Sequence, residues 1–518
     1  MNENILKSPN IKSIYFILWV VTLGITSARI CAVEGLFDPS LYYAYPHRKW
    51  PEVKPERMPT FSSNDRSRWA TIRALVENKT FVIGKRIEDR STPIGYRDEG
   101  IVFEPGYQSI DIMMDPQTKQ FYSTKPPLFT TLISAEYALL YHLIHWNMKD
   151  QRWEVVITIL LTFNLLPLAL YLWRFQHCLD YFLIKDWSKI YLFSCACFAT
   201  FLTTFSVTLN NHTPAAFLVL FALEPWIIER MRATDLKSKT NEPGNRISSS
   251  VRFSRIFLSA IFAGFLTTLE LPALSFACLL GFLWFQIEFR PKILITYLLG
   301  FLIPIVLLFA INYQALGDWK LGYSKFGSEW YEYPGSHWAK IKTQQNPSGI
   351  DFAREPKWLY SFHLLLGHHG FFSLTPIFFL SLIGIGACII QVVSKKLHFL
   401  RNNPKNSLSI EKERDQEPVI TISCWLMGLS LVVFGFYVIK TNNYGGWTSG
   451  PRWFFWLTPL FLLAIIPIAE QLEKSSWKRG TALIFLGIST FSVTYPIWNP
   501  WRHPWIFQFG EYFGWFKY

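Results

Sequence analysis

The sequence predicts an all-α polytopic membrane protein with about 11 transmembrane helices and a long external first loop containing juxtamembrane helices and a small hairpin. Three observations carry this. Of the 518 residues, 50% are hydrophobic and 17% aromatic, and the mean hydropathy is positive, more than an ordinary soluble chain carries. The apolar residues fall into blocks of roughly 20, the length a helix needs to cross a hydrocarbon core. The basic residues that give the +13 net charge concentrate in alternate short connections between blocks, as in cytoplasmic loops. That distribution assigns the charge to membrane orientation and gives no support to nucleic-acid binding.

The elements follow in order. Residues 1–33 hold the first transmembrane helix, preceded by Lys7 and Lys12, which keep its amino end in the cytoplasm. Residues 34–153 are then exported. Within them Asp111 to Met114 and Gln120 to Thr124 flank Asp115-Pro116-Gln117-Thr118-Lys119, a hairpin pattern. The apolar stretch 127–144 is read as a helix lying at the outer interface, with Tyr137, Tyr141 and Trp146 at headgroup depth, because counting it as a crossing would put the basic clusters outside.

Transmembrane helices are expected in 154–312, at about 154–173, 189–209, 214–228, 256–270, 272–287 and 293–312. An external loop, 313–370, precedes those in 371–497, at about 371–391, 419–439, 454–470 and 481–497, and an aromatic external tail, 498–518, follows. Of the seven cysteines none pairs with another in a long polar loop, so no disulfide framework or zinc site is readable.

Several polar groups collect at the predicted outer face. Asp65 stands near the start of an amphipathic helix, Ser62 to Val76, just beyond the first span. A carboxylate there either caps the helix or acts as a base toward a substrate at the membrane surface. Lys125 precedes Pro126-Pro127-Leu128; the prolines fix the entry to a helix, and the lysine either meets a phosphate at headgroup depth or snorkels to water. Asn210, Asn211 and His212 end a span beside Pro214, placed to contact a sugar or to cap the helix. Glu270 is the sole acid of its apolar hairpin, a functional carboxylate or the hydrogen bond that closes the corner.

Tyr333 and His337 belong to an aromatic cluster suited to stacking on sugars or to an interfacial belt. Gly367-His368-His369-Gly370, with His363, hints at metal, but adjacent histidines point to different sides and no partner carboxylate is placed. Asn442 to Trp447 reads as a loop or turn ahead of Arg452.

An acidic residue outside the first helix, Lys125-Pro126-Pro127-Leu128 opening a helix, and Gly450-Pro451-Arg452-Trp453 before Leu457-Thr458-Pro459 resemble the GT-C superfamily of membrane glycosyltransferases. The chain looks similar to protein O-mannosyltransferases and to the aminoarabinose transferases that modify lipid A. The resemblance covers the whole layout, with clear motifs in three short patches. It implies a GT-C-like fold, a polyprenyl-phosphate sugar donor, Asp65 as catalytic base, and Lys125 and Arg452 at the donor phosphate. Arg66 stands where many relatives carry a second acid, which makes a metal-free reaction the expectation.

The function expected is an inverting glycosyltransferase that moves a sugar from a polyprenyl-phosphate donor to a lipid, protein or glycan acceptor. Asn211, His212, Glu270, Tyr333 and His337 are candidate substrate contacts. No cofactor is expected. Membrane lipids are the other partner, and a bacterial inner membrane with the site facing outward is the expected location. The alternative is a carrier or flippase for a lipid-linked saccharide; its mark would be repeat symmetry with interrupted helices in both halves, whereas this chain concentrates polar groups on one side.

Overall fold

The computed structural model describes residues 11–32, 59–60, 62–182, 184–239, 253–339, 350, 355–399 and 417–515. The basic stretches 240–252 and 400–416 and the segment 33–58, all read above from sequence, lie outside the described residues.

Helix α1 is Ile11–Cys31; it is followed by α2, Ser63–Glu77, and by strands β1, Gly84–Glu88, β2, Tyr96–Glu99, β3, Ile112–Met114, and β4, Gln120–Ser123. Then come α3, Pro127–Leu139, α4, Arg152–Asp180, α5, Asp186–Phe205, and α6, His212–Lys239. Helices α7, Phe253–Leu269, α8, Leu271–Ile287, and α9, Pro291–Leu316, precede α10, Lys357–Leu365. The carboxyl-terminal part holds α11, Ile377–Phe399, α12, Glu417–Lys440, α13, Arg452–Leu463, α14, Ile466–Glu473, α15, Ser476–Thr494, and α16, Trp505–Tyr512.

Among the described residues, six helices are long and apolar enough to cross a membrane: α1, α4, α5, α9, α11 and α12. The pair α13 and α14, bent by 58° at a short break, brings the number to seven. The chain is a multi-pass integral membrane protein. Length and composition thus mark six or seven of the roughly 11 expected spans among the described residues. Helices α7 and α8 are short arms meeting at Glu270, and α6 carries Glu224, Glu229 and Arg230 within its length.

Close helix packing depends on glycine where arms cross. Gly300 of α9 faces α7, and a Cβ there would lie 2.6 Å from the Phe257 carbonyl oxygen; small residues let membrane helices approach backbone to backbone. Charged groups at the far end of α6 are paired. Arg174 holds Glu224 through two hydrogen bonds of 2.6 and 2.5 Å, and Arg230 holds Glu417 through two of 2.9 and 2.7 Å. Bidentate pairing compensates the cost of burying such charges.

The segment after α1 holds more regular structure than the expected hairpin. A four-stranded antiparallel sheet runs in the order β2-β1-β4-β3. The β3–β4 hairpin forms where the Asp-Pro turn predicts it, with Met113 opposite Tyr122, while β1 and β2 went unread in the sequence. Helix α3 lies against α2 and α9 and continues into a wider turn, Leu140–Ile144, ended by His145 at φ 63°. Its Tyr137 is packed inside the protein and does not face the surroundings. The side chain is fully buried and donates to Glu77 at 2.6 Å, while the Met148 amide donates to it at 2.8 Å.

Candidate functional site

The site forms where α2, the β3–β4 hairpin, the α7–α8 corner and the loop before α13 meet. Helix α2 begins with a capping box. Ser62 accepts the Asn64 amide at 3.2 Å, and Asp65, at the third helical position, accepts the Ser62 amide at 2.5 Å. The Ser-x-x-Asp spacing thus satisfies orphan donors at the helix start. The cap residue is Ser62, and Asp65 is its reciprocal partner. Asp65 is fully buried, and its other oxygen accepts the Thr208 hydroxyl at 3.4 Å.

That contact links Asp65 to the end of the chain. The Trp501 indole donates to Thr208 at 3.2 Å, and the Arg452 guanidinium lies over the Trp501 ring, 4.9 Å from its centroid. Arg452 also donates to the Gly445 carbonyl at 2.8 Å, so the loop or turn read at Asn442 to Trp447 carries a fixed partner for it. Gly445 has φ +91°, and a Cβ there would come within 3.0 Å of the Arg452 Nε.

A second chain of contacts runs through Arg68, one turn along α2. Its guanidinium donates to Asn64 and, at 2.5 Å, to Asn211. Asn211 donates to Glu270 at 2.6 Å, and Glu270 pairs with His212. Asn211, His212 and Glu270 are therefore one network, and the Glu270 carboxylate ties the α7–α8 corner to the start of α6. Asn210 caps α6 by accepting the Thr213 amide at 2.8 Å and also donates to the Phe205 and Thr208 carbonyls.

Lys125 donates to Asp111 at 2.8 Å across the base of the hairpin. Burial lowers the Lys125 ammonium below an ordinary lysine, more than the attraction of Asp111 raises it, with Arg68 and Arg452 adding to the fall. Burial alone would raise the Asp111 carboxyl, but Lys125, Arg452 and Arg68 together hold it below its usual value. The positive field of Arg68 and Arg452 thus accounts for part of the Asp111 shift and adds to what burial does at Lys125. Burial also pushes Arg68 down to about 10.

Lys125, Asp111, Gly445, Arg452 and Trp501 line a cavity of about 540 Å³, while Asp65, Arg68, Asn211, His212 and Glu270 lie outside its lining. Arg66, Lys125 and Arg452 line it together with a single carboxylate, Asp111, and its walls include Trp338, Trp447, Trp453 and Trp501. Trp338 is held by its indole donating to the Ile110 carbonyl at 2.9 Å. Lys125 also borders a cleft lined by Phe81, Pro127, Ala315 and Leu316 among others.

The structure thus brings Lys125 and Arg452 into one cavity, with Asp65 just behind a wall formed by its neighbours Ser62, Ser63, Asn64 and Arg66. Tyr333 is placed elsewhere. It packs on Phe121 of the sheet, 5.6 Å between ring centroids, beneath Arg86, while His337 lies beside Trp338. Trp338 is the aromatic residue of that cluster that lines the cavity. Sequence reasoning passed over Arg68, Asp111 and Trp501. Arg68 had a usable signal, since three residues after Asp65 it must share that helix face.

No protein-family profile and no curated protein sequence matches the chain. Among solved structures, it superposes on the oligosaccharyltransferase of Archaeoglobus fulgidus in the apo form with a TM-score of 0.42 and 11% identity, covering 95% of this chain and 56% of that one. The same archaeal enzyme tethered to an acceptor peptide containing the NVT sequon gives 0.43, 11%, 95% and 56%. Its complex with an inhibitory peptide and a dolichol-phosphate gives 0.40, 10%, 94% and 56%. The chain spans about half the length of these structures, and at these scores the likeness assigns it neither family nor activity.

Proposed function

We propose that the chain is an inverting glycosyltransferase of the GT-C kind, using a polyprenyl-phosphate sugar at the outer face of the membrane. The observation that carries the reading is the single cavity in which Arg66, Lys125 and Arg452 oppose one carboxylate and four tryptophans supply flat apolar faces. Fixed cations suit a phosphate, and aromatic faces suit the C–H surfaces of a sugar.

The chemistry is direct displacement. The acceptor hydroxyl oxygen bonds to the anomeric carbon, the bond from that carbon to the phosphate oxygen breaks, and the electron pair leaves on the lipid phosphate. A phosphate leaves as a stable anion, so no strong general acid is required, in contrast to glycoside hydrolysis. Lys125 as a point charge and Arg452 as a planar fork offset the developing charge. Asp65, buried behind the cavity wall, takes the acceptor proton once that wall and the long Thr208 contact give way to the acceptor. A second assignment of the base, to Asp111, is favoured by its direct place in the cavity lining. The acceptor is a lipid, a protein or a glycan.

The test is to incubate purified protein with a panel of polyprenyl-phosphate sugars and candidate acceptors and to follow free lipid phosphate. Release coupled to a new glycosidic bond of inverted configuration is expected. Donor binding with no release across the panel would move the reading to a carrier for a lipid-linked saccharide.

A further inference from the structure

Outside the cavity lining, beside the loop that carries Asn443 to Trp447, the structure gathers a histidine cluster that the proposed transfer reaction does not use. His363 of α10 and His368 stack with ring centroids 3.9 Å apart and an interplanar angle of 19°. Glu355, just before α10, supplies the carboxylate that the sequence did not place. One ligand atom from each of Glu355, His363 and His368 lies within 4.8 Å of the others. Zinc ligands at 2.0–2.2 Å in tetrahedral geometry stand roughly 3.3 Å apart, so small torsional adjustments close the set.

We propose that Glu355, His363 and His368 bind one divalent transition-metal ion of the zinc class, which fixes the loop lining the candidate donor cavity. Two imidazoles and one carboxylate are a borderline donor set that suits zinc over magnesium or calcium. Around them lies the outer support that metal-binding histidines use. His368 and His369 approach Nδ1 to Nδ1 at 2.5 Å, so one ring carries the proton between them. With that proton on His368, its Nε2 lone pair is directed away from His369 and is available to the ion. Gly367 gives the cluster room, because a Cβ there would overlap the His363 imidazole.

The coupling to the cavity runs through Tyr444. Its hydroxyl donates to Glu355, and its ring stacks on His369 at 4.8 Å and 23°. Tyr444 lies between Asn443 and Gly445, both of which line the cavity, and Gly445 holds Arg452. A bound ion would therefore set the position of Arg452 without touching substrate.

The test uses the full chain in detergent, stripped with a chelator and reloaded with Co²⁺ or Zn²⁺ alone. One ion per chain by elemental analysis, and the visible ligand-field bands of low-symmetry Co²⁺, are expected for the unaltered protein. Glu355→Gln combined with His368→Gln should abolish both signals, while His142→Gln, at a distant exposed histidine, should keep them. Zn²⁺ should also raise the thermal midpoint of the unaltered protein, since a ligand bound to the folded state stabilises it by mass action. Failure of the unaltered protein to hold stoichiometric Co²⁺ overturns the proposal even when the double variant does not fold. An equal load in a folded double variant overturns it as well. None of these readouts uses donor or acceptor, so the outcome is independent of the glycosyltransferase reading.

Discussion

Replacing Asp65 in two ways separates a base from a helix cap. Asp65 accepts the Ser62 amide at 2.5 Å with one oxygen and the Thr208 hydroxyl at 3.4 Å with the other. In Asp65→Asn the remaining carbonyl oxygen keeps the Ser62 bond, and the new amide can donate to Thr208. The lost charge at a helix start costs about 0.3–1 kcal/mol. The variant should fold, insert and bind donor, yet lose transfer by ~10²–10⁴, the range that general-base catalysis supplies. Asp65→Ala removes the reciprocal half of the capping box and leaves a buried hydroxyl donor without its acceptor, costing about 1–3 kcal/mol. It should also loosen the Trp501 support beneath Arg452, which acts through Thr208. The assay is single-turnover transfer at saturating donor, set beside the thermal midpoint of each variant. Unchanged transfer in Asp65→Asn would refute the assignment and leave Asp111 as the carboxylate to test.

Lys125→Ala should weaken donor binding by about ten- to a hundredfold, the worth of one charge-assisted contact to an ion, and Arg452→Lys should also weaken it by losing the planar fork; titration with polyprenyl phosphate measures both. Asp111→Asn leaves the partly buried Lys125 ammonium without its ion-pair partner and should cost about 1–3 kcal/mol, read as a fall in thermal midpoint that Lys125→Met in the same chain partly restores. Because burial lowers the Lys125 ammonium, it sheds its proton below the usual lysine value of about 10.4. Donor affinity should therefore fall as pH rises through that lowered value, and Lys125→Arg should remove this alkaline fall in a pH series of binding constants. Single cysteines at positions 125, 337 and 452, none of them fully buried, should be labelled from outside whole cells and one at position 239 should not, because the basic connections orient the chain.

The spanning helices were legible because length and apolar content are enough to mark them, and α1, α4, α5, α9, α11 and α12 overlap blocks read from sequence. The bend between α13 and α14 was not, since it depends on packing around a break that hydropathy does not register. The β3–β4 hairpin announced itself through Asp115-Pro116. Strands β1 and β2, reading Gly-Lys-Arg-Ile-Glu and Tyr-Arg-Asp-Glu, are short and polar and lack the alternation that marks a half-buried strand. Missing them made Tyr333 look available to a sugar, when the sheet residues Phe121 and Arg86 are what it packs on.

Lys125 and Arg452 could be singled out by their setting beside prolines at helix entries. The partner of Lys125 required the hairpin register, in which Ile112 opposite Ser123 brings Asp111 beside Lys125. Trp501 is 293 residues from Thr208 along the chain, and no local pattern connects them. Glu355 was likewise invisible beside the histidines, because a loop must fold back onto α10 before the carboxylate meets them.

The central claim is that the cavity breaks the bond between a sugar and a lipid phosphate. Its most direct test reconstitutes the purified protein in liposomes whose outer leaflet carries a polyprenyl-phosphate sugar, labelled in both sugar and lipid, together with an acceptor. The account predicts that the two labels separate, with the sugar covalently on the acceptor in inverted configuration and free lipid phosphate left behind, and that Lys125→Ala slows the separation. Appearance of the doubly labelled donor, intact, in the inner leaflet would contradict it and establish a carrier.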